Sequence, residues 1–99
     1  MAKHDVYVNP KGTGYLLDVQ TDLLDALNTR VVVPLIPIGQ APKPAKRLNP
    51  IFEIEGEPVV MVTQFLAAVP RALLKTPIQS LSDDFAEITN ALDMVFQGF

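Results

Sequence analysis

The nine residues Arg30-Val31-Val32-Val33-Pro34-Leu35-Ile36-Pro37-Ile38 constrain the fold more than any other stretch of the chain. Their β-branched content favours a strand, and continuous apolarity means that both faces are covered, as in the central strand of a sheet. Pro34 and Pro37 have no N–H to give to a ladder, so each belongs at a bulge, an edge or a strand end. The strand must therefore bend or change partner, and such a bend curls a small sheet towards a barrel.

The flanking segments supply partners. Asp5 to Asn9 alternates, with Val6 and Val8 on one face and Tyr7 on the other, as a half-buried strand does. Tyr15 to Gln20 is its return partner across the turn-rich Asn9-Pro10-Lys11-Gly12-Thr13-Gly14. Ile51 to Ile54 and Val59 to Thr63 form a second hairpin about Glu55-Gly56-Glu57-Pro58, so the sheet is largely antiparallel. Phe65 to Val69, stopped by Pro70, reads as an edge strand. Thr21 or Asp22 caps a short turn over Leu23-Leu24-Asp25-Ala26. Adjacent residues on a turn point about 100° apart. Either one leucine packs inward while the other stays partly exposed, or both are buried.

Leu81 to Phe99 reads as one amphipathic helix. Leu81, Phe85, Ile88, Leu92, Val95 and Phe99 share a stripe at helical spacing, with Ser82 as N-cap, Asp83, Asp84 and Glu87 at the positive end of the dipole, and Gly98 loosening the last turn. Asp83, Glu87, Asn90, Met94 and Gln97 lie roughly opposite, where a partner can meet them. Elements and spacing together predict a single domain over residues 1–99, α+β but mainly β.

Composition limits what such a domain does. Apolar residues are 48% of the chain and charged residues only 19%, so apolar surface is left for a second copy to cover, and a homodimer is expected over a monomer with an apolar surface. The net charge of −3 supplies no basic field for nucleic-acid phosphates. Met-Ala-Lys-His-Asp lacks an apolar leader core, and charges and prolines interrupt every apolar run before membrane-spanning length, so a cytoplasmic location is expected.

Chemistry is sparse. There is no cysteine, which removes thiol nucleophiles and thiolate metal sites. His4, the one histidine, sits in a segment expected to fray at the surface, so neither a multi-histidine metal site nor a Ser-His-Asp triad is expected. Gly12-Thr13-Gly14 lacks the lysine and following helix of a phosphate cradle. No cofactor is called for. The remaining candidates are surfaces: the outer face and end of the last helix, and the loop Gly39 to Pro50, whose Lys43, Lys46 and Arg47 either dock an acidic peptide or are simply solvated.

Leu16-Leu17-Asp18-Val19-Gln20-Thr21-Asp22-Leu23-Leu24-Asp25, followed by Arg30 to Leu35, Met61-Val62-Thr63-Gln64, Ala68-Val69-Pro70 and the C-terminal helix, resembles the CcdB family over essentially the whole chain. Asp-Val-Gln-x-Asp combined with Val-x-Pro-Leu is its most specific part. The resemblance implies a small SH3-like antiparallel β-barrel, of the kind shared with MazF toxins, with a C-terminal α-helix, assembled as a homodimer. It also implies a non-catalytic toxin of a toxin–antitoxin module, which binds the A subunit of DNA gyrase, traps the gyrase–DNA cleavage complex and is neutralised by a cognate CcdA-like antitoxin.

Carried over residue by residue, gyrase contacts fall on Leu23, Leu24, Asp93, Gln97, Gly98 and Phe99, and antitoxin contacts on Gly12, Lys43, Lys46 and Arg47. Two positions depart from the family: Gln97 stands where the terminal Trp-Gly-Ile has its tryptophan, and Asp93 where an asparagine meets the target. Loss of a stacking surface at an interface costs a few kcal/mol in typical cases, about the worth of one buried aromatic anchor. Two other readings follow: an antitoxin-binding protein whose target is lost or changed, and a MazF-like endoribonuclease. The acidic surface and the lack of an acid–base pair count against the second.

Overall fold

The computed structural model describes residues 2–98. Seven strands form one antiparallel sheet: β1 (Asp5–Val8), β2 (Tyr15–Asp18), β3 (Thr29–Pro37), β4 (Ile51–Ile54), β5 (Glu57–Met61), β6 (Ala67–Pro70) and β7 (Gln79–Ser80), followed by helix α1 (Phe85–Gln97). The order is β4-β5-β3-β2-β1-β7, with β6 also on β3.

β3 is the hub, and its prolines mark its change of partner. One edge pairs with β2 through Val32 to Leu35; the other pairs with β6 through Thr29 to Val32 and then with β5 through Leu35 to Pro37. Pro34, lacking an N–H, falls between the two partners, and Pro37 ends the strand. The expected partner change is borne out.

The sheet closes nearly into a barrel, its outermost strands β4 and β7 joined through one side chain. Gln79 donates from Nε2 to the Glu53 carbonyl (3.0 Å) and accepts the Glu55 N–H at Oε1 (3.2 Å), so its amide supplies the donor and acceptor of a missing peptide group. The β4–β5 connection is tighter than expected: Glu55 (φ 50°) and Gly56 (φ 81°) alone make the turn, with Ile54 facing Glu57.

Alternation along the strands fills two clusters. Val6, Leu17, Val33 and Leu35 point into the barrel and meet Ile88 and Ala91 of α1. Tyr7, Leu16 and Val32 point outward, where Leu74 and Val69 cover them. β1 is therefore covered on both faces instead of half-buried, and it is Val8, expected beside Val6 on the packed face, that is exposed.

Two further expectations are corrected. The N-terminal segment is tied down: the His4 N–H donates to the Asp18 carbonyl (2.7 Å), the His4 carbonyl accepts from Leu81 (2.9 Å), and the Lys3 N–H donates to Asp22 Oδ1 (2.9 Å). His4 is thus buried, in left-handed backbone (φ 76°). The helix also starts later than its periodicity suggests. Residues 82–84 form a 3-10 turn that seats Leu81 in the core, Asp84 rather than Ser82 takes the cap position, and no side chain caps it. Phe85 is left exposed, and the packed stripe runs through Ile88, Ala91 and Leu92. Gly98, at φ 82°, ends the helix with its N–H on the Met94 carbonyl.

Two outcomes follow. Gln79→Ala removes both seam hydrogen bonds and lowers stability by about 1–3 kcal/mol in urea titration, with the loss of exchange protection centred on the β4–β7 seam. Burial, helped by the Lys3 charge, holds the His4 imidazole below its ordinary 6.5, so the unfolded chain takes up a proton more readily than the folded one. Stability is then full above about pH 6.5 and falls as pH drops from there towards the lowered folded value. His4→Gln removes that part of the slope, read from unfolding free energies across the same range.

Candidate partner-binding surfaces

The link from β2 to β3 displays leucines on a charged frame. The Thr21 side chain accepts the Leu23 N–H at 3.3 Å and caps a 3-10 turn over Asp22–Leu24, as its sequence predicts. Neither leucine packs inward: Leu23 is 93% exposed and Leu24 47%, and Leu27 at 47% joins them. Burying a leucine returns about 1.5–3 kcal/mol, which here is left for a partner. The residues beneath are committed to charge, which explains why no leucine enters.

Arg30 lies fully buried below this loop. Its Nη2 is 2.7 Å from the Asp18 carboxylate, itself fully buried, and its Nε donates to the same oxygen at 2.9 Å. Nη1 reaches Asp25 Oδ1 at 3.2 Å, and Nη2 lies 3.4 Å from the Gln20 carbonyl. Asp18 faces Val32 in the β2–β3 register, so Arg30, two residues back on the same face of β3, is its diagonal neighbour. Burial pushes the Asp18 carboxyl up, against the pull of Arg30 and the Gln20 N–H, while the carboxylates hold the guanidinium charged. Gln20 completes the frame: its amide donates to the Leu24 and Thr29 carbonyls (both 3.2 Å) and accepts the Val31 N–H at 3.0 Å. None of Asp18, Gln20 and Arg30 emerges as a candidate from the sequence alone, although charged residues flanking otherwise apolar strand runs were the available signal.

The other candidate residues fall at two places. Along α1, Asp93 is half-buried and Gln97 and Gly98 are exposed, while Phe99 lies outside the described residues. Phe96, which sequence reasoning passed over, is 70% exposed in the last helical turn. It is the large apolar side chain that this end offers among the described residues.

Gly12 and the basic loop approach each other, since Thr13 Oγ1 donates to Gln40 Oε1 at 2.9 Å. Gly14 fixes the root of the hairpin loop: a Cβ there would run into the Leu35 carbonyl oxygen, and its φ is +83°. Lys43, Lys46 and Arg47 are all exposed, and among the described residues none takes part in an ion pair. Arg47, in left-handed backbone (φ 66°), lines a cleft of about 280 Å³ with Pro50 and with Glu87 and Asn90 of α1. The basic loop therefore borders the outer helix face.

The His4 Nε2 and the Tyr7 hydroxyl are buried without hydrogen-bond partners among the described residues, and no three acidic or histidine side chains gather there as a metal site would need. No helix among the described residues is long and apolar enough to cross a membrane. A family model described as "CcdB protein" matches residues 3–98 of the chain.

Asp18→Asn takes from the buried guanidinium its one buried counter-charge, leaving only the half-exposed Asp25 and exposed Asp22 carboxylates, and lowers unfolding free energy in urea by about 3 kcal/mol, the low end for breaking a buried pair. Exchanging Asp18 and Arg30 together for apolar residues of similar size costs less than the single change, which a double-mutant cycle reads directly.

Proposed function

Because the chain belongs to the CcdB family, we propose that it is the toxin of a toxin–antitoxin pair and acts by binding the A subunit of DNA gyrase and trapping the cleaved gyrase–DNA complex. The observation that carries this reading is the pair of apolar displays, Leu23 with Leu24 on the braced loop and Phe96 beside Gln97 and Gly98 at the end of α1, both outside the core. Asp93 borders the second display, half-buried, and brings a negative charge to it. Binding alone is asked of these residues, and no side chain makes or breaks a bond. Exposed Phe65 and Phe85 add apolar area beyond these displays, which supports assembly as a homodimer.

Antitoxin recognition fits the opposite charge character. Gly12 and the Lys43, Lys46 and Arg47 loop, tied together through Thr13 and Gln40, suit an acidic, extended peptide that reaches the cleft beside Glu87 and Asn90.

A second reading is favoured by Gln97. Where the family carries tryptophan this helix presents an exposed amide, which supports an antitoxin-binding protein whose target is weakened or changed. One assay separates the two. Purified protein incubated with gyrase, supercoiled DNA and ATP yields linear DNA if it is a poison, and removal of residues 97–99 abolishes that product while thermal unfolding stays unchanged. Intact supercoiled DNA at saturating protein, with tight binding of the acidic antitoxin peptide in calorimetry, selects the second reading.

A further inference from the structure

The loop Thr21 to Asn28 combines two properties that usually exclude each other. Its leucines are exposed, yet its backbone is held from several sides. Leu24 and Leu27 N–H groups close turns onto the Thr21 and Leu24 carbonyls, both at 3.1 Å, and the Gln20 amide takes the Leu24 carbonyl from below. Asp25 is the common anchor. Arg30 Nη1 reaches its carboxylate at 3.2 Å from inside the fold, and Arg71, beyond the end of β6, reaches the same carboxylate at 3.8 Å and its carbonyl at 2.5 Å. The Arg71 N–H also donates to the Asn28 carbonyl at 2.8 Å, which fixes the far end of the loop. Solvent-facing apolar side chains on a mobile loop lose conformational freedom when they bind; on a rigid one that loss has already been met by folding.

We propose that Asp25 and Arg71 are positioning residues for the gyrase-facing loop, setting partner affinity by holding Leu23, Leu24 and Leu27 in their bound presentation. Neither is assigned to the contact itself. The inference rests on the reading that this loop meets gyrase, and it adds the device that makes a short, exposed apolar loop an effective one. The brace crosses from β6 to the β2–β3 link, between residues 46 positions apart in sequence, so it forms only once β3 has paired with both β2 and β6.

The test uses the intact protein, Asp25→Ala, Arg71→Ala and, as a contact control, Leu23→Ala. In Asp25→Ala the buried Arg30 keeps Asp18, so the fold is retained. Amide exchange by NMR is expected to quicken at Leu24, Asp25 and Leu27 in the two brace variants, with strand amides of β3 and β5 unchanged. Affinity for the purified gyrase A subunit, by calorimetry, is expected to fall about ten-fold in both, as loss of preorganisation does. Leu23→Ala is expected to lose affinity with loop exchange unaltered. Unchanged loop exchange in Asp25→Ala and Arg71→Ala overturns the inference whatever gyrase does, and so does faster exchange with wild-type affinity. If the intact protein does not bind gyrase at all, the functional reading fails, and the inference fails with it as a statement about affinity.

Discussion

A single buried ion pair organises the outer half of this molecule. Asp18 and Arg30 are both inaccessible, 2.7 Å apart, and joined by two donors to one carboxylate oxygen. Neither charge is stable there alone, because isolated ions are costly in a low-dielectric interior. Each therefore requires β2 and β3 to pair in the register that sets Asp18 opposite Val32. A shift by one residue would turn Arg30 to the other face, leave two uncompensated charges and undo both clusters at once. The pair is thus a register lock. Its remaining donors carry the lock outward into the Thr21 to Asn28 loop, so core and display surface share one set of side chains.

The second constraint is the unequal partnering of β3. A strand of nine residues that serves β2 on one edge and β6 then β5 on the other cannot stay flat, and Pro34 sits at the changeover. Curvature of this kind brings β4 round towards β7, but the two strands do not pair. Gln79 spans them instead. The barrel is closed by a side-chain amide, and α1 rests on it through a short stripe that begins at Ile88.

Much of this was legible in the sequence. The two hairpins, the exposed basic loop and the capped turn at Thr21 lie where turn chemistry and alternation place them, whereas the edge strand expected over Phe65 to Val69 is shifted to Ala67–Pro70, with Phe65 in a 3-10 turn and Pro70 paired with Thr29. The local patterns failed where a distant segment decided burial. Tyr7 is buried because Leu74 crosses outside it, and His4 because Asp18 and Leu81 hold its backbone from two sides. Phe85 fell off the core stripe because the chain spends residues 82–84 on a 3-10 turn before the helix begins. Of the candidate sites, Leu23, Leu24 and the basic loop could be named from residue type, whereas the frame of Gln20, Arg30 and Arg71 behind them could not. Its partners are chosen by register and by crossings between strands far apart in the chain.

Local pattern was enough to mark the segments of β1 to β5 as strands, to require β3 to bend or change partner, and to make the last element a helix with an apolar face, but it gave no sign of β7. These are properties of period, of proline's missing donor and of glycine's freedom, and they are written within a few residues. Which faces are covered and which charges meet was settled by packing between distant segments. Covering a face requires another segment to arrive on it, and a buried charge is tolerable only once its counter-charge has been brought alongside. Alternation records that a strand has two sides; the folded chain decides what lies against each.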